Sequence, residues 1–423
     1  MMKVLIVNTS ERTGGAAVAA NRLKDALNNN GIEANMLVRD KLSDDTTVFT
    51  IKNGWRTQWN KLWERWCIFW HLHFSKRNLF AIDIANAGTD ITQLQAFKDA
   101  DVVHLAWINQ GMLSLKGIEK ILKTGKPLVW TMHDIWPATA VCHITLDCRQ
   151  FETQCKDCRL LPSGIGRNLA RRTWKRKEAI ERRSHIIYIT CSKWLQGEAK
   201  RSALIGKNPI ECIPNPIDTS VFCKADKAEA RRKLGLPADK RLILFASQRV
   251  TNQNKGMGYL VDACRKMVEQ HPETLANTAV VVLGGHAEDL RENFDLPMFP
   301  LGYVSDTQQI VDVYNAIDVF VLPSLSDNLP NTIMEAMACG VPCVGFEVGG
   351  IPEMIDHEHN GYVVRMKDSA DLAYGINWVL NVADYERLSA NAVEKVKQCY
   401  SQTRVAMQYI EIYKRALAYS KNK

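Results

Sequence analysis

Nowhere in the 423 residues does an apolar run approach the length needed to cross a bilayer. The opening Met1-Met2-Lys3-Val4-Leu5-Ile6-Val7-Asn8 holds too short an apolar stretch for a signal peptide and reads as a first strand. The chain is therefore expected in the cytoplasm. A complete G-x-G-x-x-G is also missing, so the dinucleotide signal is weak. No known nucleic-acid reading motif accompanies the basic residues. Acidic residues are scarce in the first half. Residues 1–210 hold 32 Lys+Arg against 19 Asp+Glu, while 211–423 hold 22 against 27. The overall charge of +8 thus hides a basic half, which is expected to face something acidic: lipid headgroups, a phosphorylated acceptor or nucleic acid.

What is present suits a soluble globular protein of two domains: 46% apolar and 24% charged residues, in a chain too long for one ordinary core. Eight of the twelve cysteines are scattered singly and read as small core residues of a reducing compartment. The other four, Cys142, Cys148, Cys155 and Cys158, fall within seventeen residues and end in a C-x-x-C pair. They are either a structural zinc site or free thiols.

The most informative stretch runs from Val319 to Gly350. A buried-strand pattern, Val319 to Leu322, leads through a polar turn to Pro330. A helix is expected over Thr332–Cys339, closed by Gly340, and a second strand over Pro342–Phe346. Asp327 lies in the turn and Glu335 about two turns inside the helix. The helix start can hold phosphate, and the acids can hold sugar hydroxyls. Without more, this is equally a βαβ unit with solvated acids.

The stretch resembles the E-x7-E signature of retaining glycosyltransferases of family 4, including the run Glu335-Ala336-Met337-Ala338-Cys339-Gly340-Val341-Pro342. The first acid is Asp rather than Glu, one methylene shorter. The resemblance covers nearly the whole chain and is closest to members that build capsular or other surface polysaccharides. It implies an α/β GT-B fold: two doubly wound, Rossmann-like parallel-sheet domains facing a central cleft. The domains are expected at 1–210, for the acceptor, and 211–400, for the nucleotide sugar. A helix over 401–423 is expected to cross back to the first. The segment Pro214-Asn215-Pro216-Ile217-Asp218, with Phe222 beyond it, resembles the interdomain linker.

Other residues take roles from the same resemblance. Gly14 and Gly15, after the first strand, form a turn that lets backbone approach a ligand; the resemblance puts Gly15 near the donor phosphates or the acceptor. His133, at the end of the strand Leu128–Thr131, is expected in the ligand crevice, near the donor hexose and acceptor hydroxyl. Arg249 and Lys255 are two cations on one loop after a strand, suited to neutralising a departing diphosphate. The resemblance gives them that task in place of a divalent metal. Tyr303 falls where the base is held, Asn328, Leu329 and Asn331 at the donor end of the helix, Glu335 at the ribose and Asp327 at the hexose.

The implied reaction moves a hexosyl unit from a nucleoside diphosphate sugar to a hydroxyl of a glycan, with retention and no catalytic cofactor. Two segments bear on where it happens. Trp55, Trp59, Trp63, Trp66 and Trp70 recur on one face of a helix, which either packs on its own domain or lies at a membrane interface. Segment 167–183 carries Arg171, Arg172, Lys175, Arg176 and Lys177, a solvated face or an anionic-lipid surface. A lipid-linked acceptor at the inner face of the membrane is the expectation, with no nucleic-acid partner. The competing readings are a sugar-nucleotide epimerase of the same fold and a nucleic-acid-binding protein built on the cysteines and the basic half.

Overall fold

The structure, a computed structural model, describes residues 1–51, 54–162 and 165–421. It divides into two compact units, one of Met1–Pro216 with Gln402–Lys423, the other of Ile217–Ser401. Each is built on a parallel sheet, as expected of a doubly wound α/β chain.

The first unit holds β1 (Lys3–Val7), β2 (Glu33–Val38), β3 (Val48–Thr50), β4 (Val102–Leu105), β5 (Leu128–Met132), β6 (Ile187–Thr190) and β7 (Ile210–Cys212). Their spatial order is β3-β2-β1-β4-β5-β6-β7. The central strands are short, apolar and buried on both faces, as a parallel sheet covered by helices requires. Alternate residues serve two cores. Leu5, Val7, Val103, Leu105 and Trp130 pack with Ile68, Trp136 and Trp174. Val4, Ile6, Val102 and Val129 pack with Leu23, Tyr409 and Tyr413. The last two lie on the closing helix Gln402–Lys421, which shares the second core with the helix Gly15–Asn28. Chain order reverses between β1 and β4, so the loops after these strands diverge and leave a crevice at the sheet's C-terminal edge.

The second unit holds β8 (Arg241–Arg249), β9 (Thr278–Gly285), β10 (Met298–Gly302), β11 (Val319–Leu322), β12 (Cys343–Phe346) and β13 (Gly361–Val364), in the order β10-β9-β8-β11-β12-β13. Its reversal falls between β8 and β11.

One boundary shifts to the linker segment 214–218, and one of two open readings is favoured. The break between units comes at Pro216/Ile217 rather than after residue 210, because β7 still pairs with β6. The tryptophan-bearing helix, Gly54–His71, does not pack its aromatic face on its own domain. It buries Thr57, Glu64, Arg65 and Ile68 and turns the five tryptophans outward.

Candidate functional site

In the second unit, the loops after β8 and β11 are sewn together by backbone. Leu325 N–H donates to Asn254 C=O at 2.8 Å. Gly256, at φ +75°, lies so close to Pro323 that a Cβ there would sit 1.8 Å from the Pro323 carbonyl oxygen. Gly349, at φ +58°, approaches the Asp327 carbonyl in the same way, at 1.7 Å. Both positions need glycine for its conformation and its lack of a side chain. Asn252 steadies the turn Gln253–Lys255 by accepting from Asn254 N–H at 3.1 Å.

This stitching brings Lys255 to Asp327, Nζ to Oδ2 at 2.5 Å. Both side chains keep some exposure, 29% and 16%, so the pair is held yet open to a ligand. Arg249 closes β8 and is exposed. The helix after the β11 loop runs Asn331–Ala338; Pro330 at its N-cap position supplies no side-chain hydrogen bond to its first turn. Leu329 is buried, whereas Asn328 and Asn331 are half-buried. Glu335, in the second turn, is nearly buried, and its Oε2 accepts from Tyr314 O–H at 2.9 Å. The hydroxyl of Ser324, just after β11, is buried and finds no partner among the described residues. Tyr303 lies exposed immediately past β10. Lys255 and Asp327 are thus in direct contact, with Glu335 on the helix that follows the same loop, at the strand-order reversal of the sheet. A cation, two carboxylates and a helix start together suit a ligand with both phosphate and hydroxyl groups.

In the first unit, Gly15 opens the helix after β1, with Gly14 at φ +93° before it. His133 follows β5 and is half-buried, and its Nδ1 lies 3.6 Å from Cys191 Sγ. Burial pushes its pKa down to about 4, which leaves it neutral near pH 7. It borders a small cavity with Thr131, His104, Asn215 and Tyr409. Beside it Asp134 accepts from Trp107 Nε1–H at 2.9 Å and pairs with His143 at 2.7 Å. The other ring nitrogen of His143 meets Asp83 at 2.6 Å. Burial works against charge on His143, but Asp134 and Asp83 prevail and raise its pKa to about 10.

Sequence reasoning missed Tyr314, Ser324, Trp107 and the Asp83–His143–Asp134 bridge. His143 was masked by its neighbour Cys142, and Tyr314 carries no motif at all. None of the four clustered cysteines is in a disulfide. Burial, then the nearness of Cys158, Cys155 and Cys148, pushes the Cys142 thiol up to about 12. Among the described residues no group of three or more His, Cys, Asp or Glu side chains is arranged to hold a metal ion. No described helix is long and apolar enough to cross a membrane.

Comparisons with known proteins agree with this fold. Residues 13–221 match the family described as Glycosyltransferase Family 4, and residues 240–382 match Glycosyl transferases group 1. An uncharacterized glycosyltransferase of Methanocaldococcus jannaschii is 32% identical over 237 residues, 54% of this chain and 60% of that protein. A D-inositol 3-phosphate glycosyltransferase of Saccharomonospora viridis is 29% identical over 221 residues, 49% of this chain and 51% of the relative. The matches thus span about half the length of these curated relatives. Among solved structures, sucrose-phosphate synthase from Thermosynechococcus elongatus has a similar fold, with a TM-score of 0.69 at 20% identity, over 99% of this chain and 100% of that one. Anabaena HepE in complex with UDP gives a TM-score of 0.64 at 17% identity, over 98% and 100%. With one family match in each unit and a doubly wound parallel sheet in each, the chain has the GT-B fold and belongs to the family 4, group 1 glycosyltransferases.

Proposed function

We propose that the protein is a retaining hexosyltransferase. It takes a sugar from a nucleoside diphosphate and joins it to a hydroxyl of a glycan, carried on a lipid, in the building of a surface polysaccharide. The observation that carries this is the Lys255–Asp327 contact at the β8/β11 reversal, with Glu335 on the adjoining helix. In this reading Arg249 and Lys255 face the diphosphate, Glu335 the ribose and Asp327 the hexose. Asn328, Leu329 and Asn331 line the donor end of the helix, Tyr303 meets the base, and Gly15 and His133 serve from the first unit. The anomeric C–O bond to the β-phosphate breaks as the acceptor oxygen bonds the same face of that carbon. The acceptor proton passes to the departing phosphate. Two fixed cations offset the charge that develops there, so the chemistry needs no divalent metal. The acidic surface that attracts the basic half is an anionic membrane, where a lipid-linked acceptor is found.

The same proposal keeps zinc as the occupant of Cys142, Cys148, Cys155 and Cys158. Binding would have to bring the four sulfurs to about 2.3 Å from one ion. Metal analysis of protein purified without chelator should then find about one zinc per chain, lost in Cys155→Ser. A metal-free protein would leave four ordinary thiols.

The donor reading is tested by melting the protein with UDP-, GDP- and ADP-sugars. A donor that binds only the folded state raises Tm, and the same donor should then support transfer in excess EDTA. A protein that binds none of them is not this enzyme. A donor converted to its epimer without an acceptor would identify an epimerase instead.

A further inference from the structure

The helix Gly54–His71 is built inside out. Apart from Ile68, which enters the core, the buried residues of the face it turns to its own unit are polar. Glu64 Oε1 accepts from the N–H groups of Ile84 and Ala85, at 3.1 and 2.6 Å. Arg65 donates to the Leu79 carbonyl at 2.6 Å and pairs with Asp83. The opposite face carries Trp55, Trp59, Trp63, Trp66 and Trp70, each between 46% and 72% exposed. Water selects the reverse arrangement, and an aromatic surface of this extent on a helix marks a binding face.

Local backbone reinforces the patch. His73 and Phe74, neither of them glycine, both adopt left-handed φ, 52° and 62°. Such a conformation is unfavourable for bulky residues. Here it folds the chain back so that the Phe74 ring meets Trp70 at 5.1 Å and Trp66 at 6.4 Å.

Charge decides what the face meets. Between residues 54 and 80 the only acid is Glu64, and it is fully buried. Arg56, Lys76 and Arg77 are exposed. The helix Ile165–Glu181 packs beside this one and exposes Arg171, Arg172, Lys175 and Arg176. Tryptophan beside cations, with no exposed acid between residues 54 and 80 and with the partly exposed Glu178 of the neighbouring helix paired with Arg182, is the composition of a surface seated among anionic headgroups. A second copy of the same face would bring cation against cation.

We propose that the outward tryptophan face of the helix Gly54–His71, flanked by the cations of Ile165–Glu181, docks on an anionic phospholipid surface. This rests on the membrane part of the proposed function and not on the sugar chemistry. The aromatic rings enter the headgroup boundary, and the basic helix supplies a longer-ranged attraction that salt screens.

The test is co-sedimentation of the full chain with phosphatidylcholine vesicles, with and without phosphatidylglycerol, at low and high salt. The wild type should bind only the anionic vesicles. Brominated lipid should quench part of its tryptophan fluorescence. Trp63→Ser/Trp66→Ser should weaken binding about tenfold or more and remove most of the quenching. Reversing Arg171, Arg172 and Arg176 to Glu should remove the salt-sensitive part. Circular dichroism and the thermal melt of the full chain show that the variants are folded, and nucleotide-induced melting shifts report separately on the second unit. Vesicle binding that survives unchanged in the tryptophan variant would overturn the proposal while leaving the wider membrane reading. No vesicle binding, with a self-association lost in that variant, would assign the face to a second copy. No binding of either kind would refute both membrane statements and leave the donor reading standing.

Discussion

Lys255 is already engaged by Asp327 at 2.5 Å, so under the proposed donor reading an arriving diphosphate must share or displace that contact. This leads to an unusual expectation for Asp327→Asn. Removing the carboxylate's charge frees the ammonium, and the nucleotide no longer competes for it. The two side chains are 29% and 16% exposed, so water screens the pair and its worth is about 1 kcal/mol at most. Nucleoside diphosphate should therefore bind up to about fivefold more tightly to the variant. Turnover should move the other way, by about tenfold or more, because the hexose loses an ionised acceptor. Calorimetry with the free diphosphate, which has no hexose, separates the two effects. In a Lys255→Ala background the gain in affinity should vanish, since the double-mutant cycle then contains no pair. If Asp327→Asn binds free diphosphate more weakly than wild type, Asp327 contacts the nucleotide itself. The division of labour between Asp327 and Lys255 would then be wrong.

Replacing Arg249 or Lys255 by Ala should lower turnover by about a hundredfold or more, because each cation matters most as charge develops on the leaving phosphate; near-normal rates in both would end that assignment. Glu335→Gln should cost about 1–3 kcal/mol of nucleotide affinity by calorimetry. Tyr314→Phe, which removes the hydroxyl orienting Glu335, should cost less, and unchanged affinity in both would move the ribose elsewhere. His143 has a folded pKa of about 10 against about 6.5 unfolded, so its contribution to stability is full below pH 6.5 and is lost as pH rises through 10. The difference in Tm between wild type and His143→Gln should accordingly be largest near pH 6 and narrow toward pH 10; a difference that widens with pH would show that the imidazole is buried neutral.

The loops of the candidate site were legible because they follow strands that announce themselves. Val319–Leu322 and Leu242–Ala246 are short apolar runs bounded by turn residues, and a parallel sheet needs little more. Glu335 could be placed two turns into a helix from Pro330 and Gly340 alone. Its partner Tyr314 could not, because the contact joins different elements 21 residues apart and each residue is plausible anywhere. The tryptophan helix shows the limit most plainly. Periodicity gives the angle between its two faces but not which one points inward. That was decided by Asp83 and the backbone N–H groups of Ile84 and Ala85, which pull Glu64 and Arg65 inward. Charged residues are buried only where such partners exist, and those partners are known only once the chain is folded.

The same polar residues link two features that the sequence shows as separate. Asp83 accepts from Arg65, on the tryptophan helix, and from His143. His143 in turn holds Asp134, the residue after His133 at the end of β5. Lys177, on the basic helix, donates to the carbonyls of Trp136 and Thr139 at 2.6 and 2.9 Å. Burial lowers its pKa to about 7. The aromatic helix and the basic helix are therefore each anchored, through a buried charged side chain, to the segment that follows β5. Residues 134–143 serve both as the setting of His133 and as the mount of the two helices. A polar mount costs desolvation that an apolar one would not. It accounts for how a helix can give its whole aromatic face to the outside and still be held, because Glu64 and Arg65 hold it from the inner face beside the single buried aliphatic side chain of Ile68.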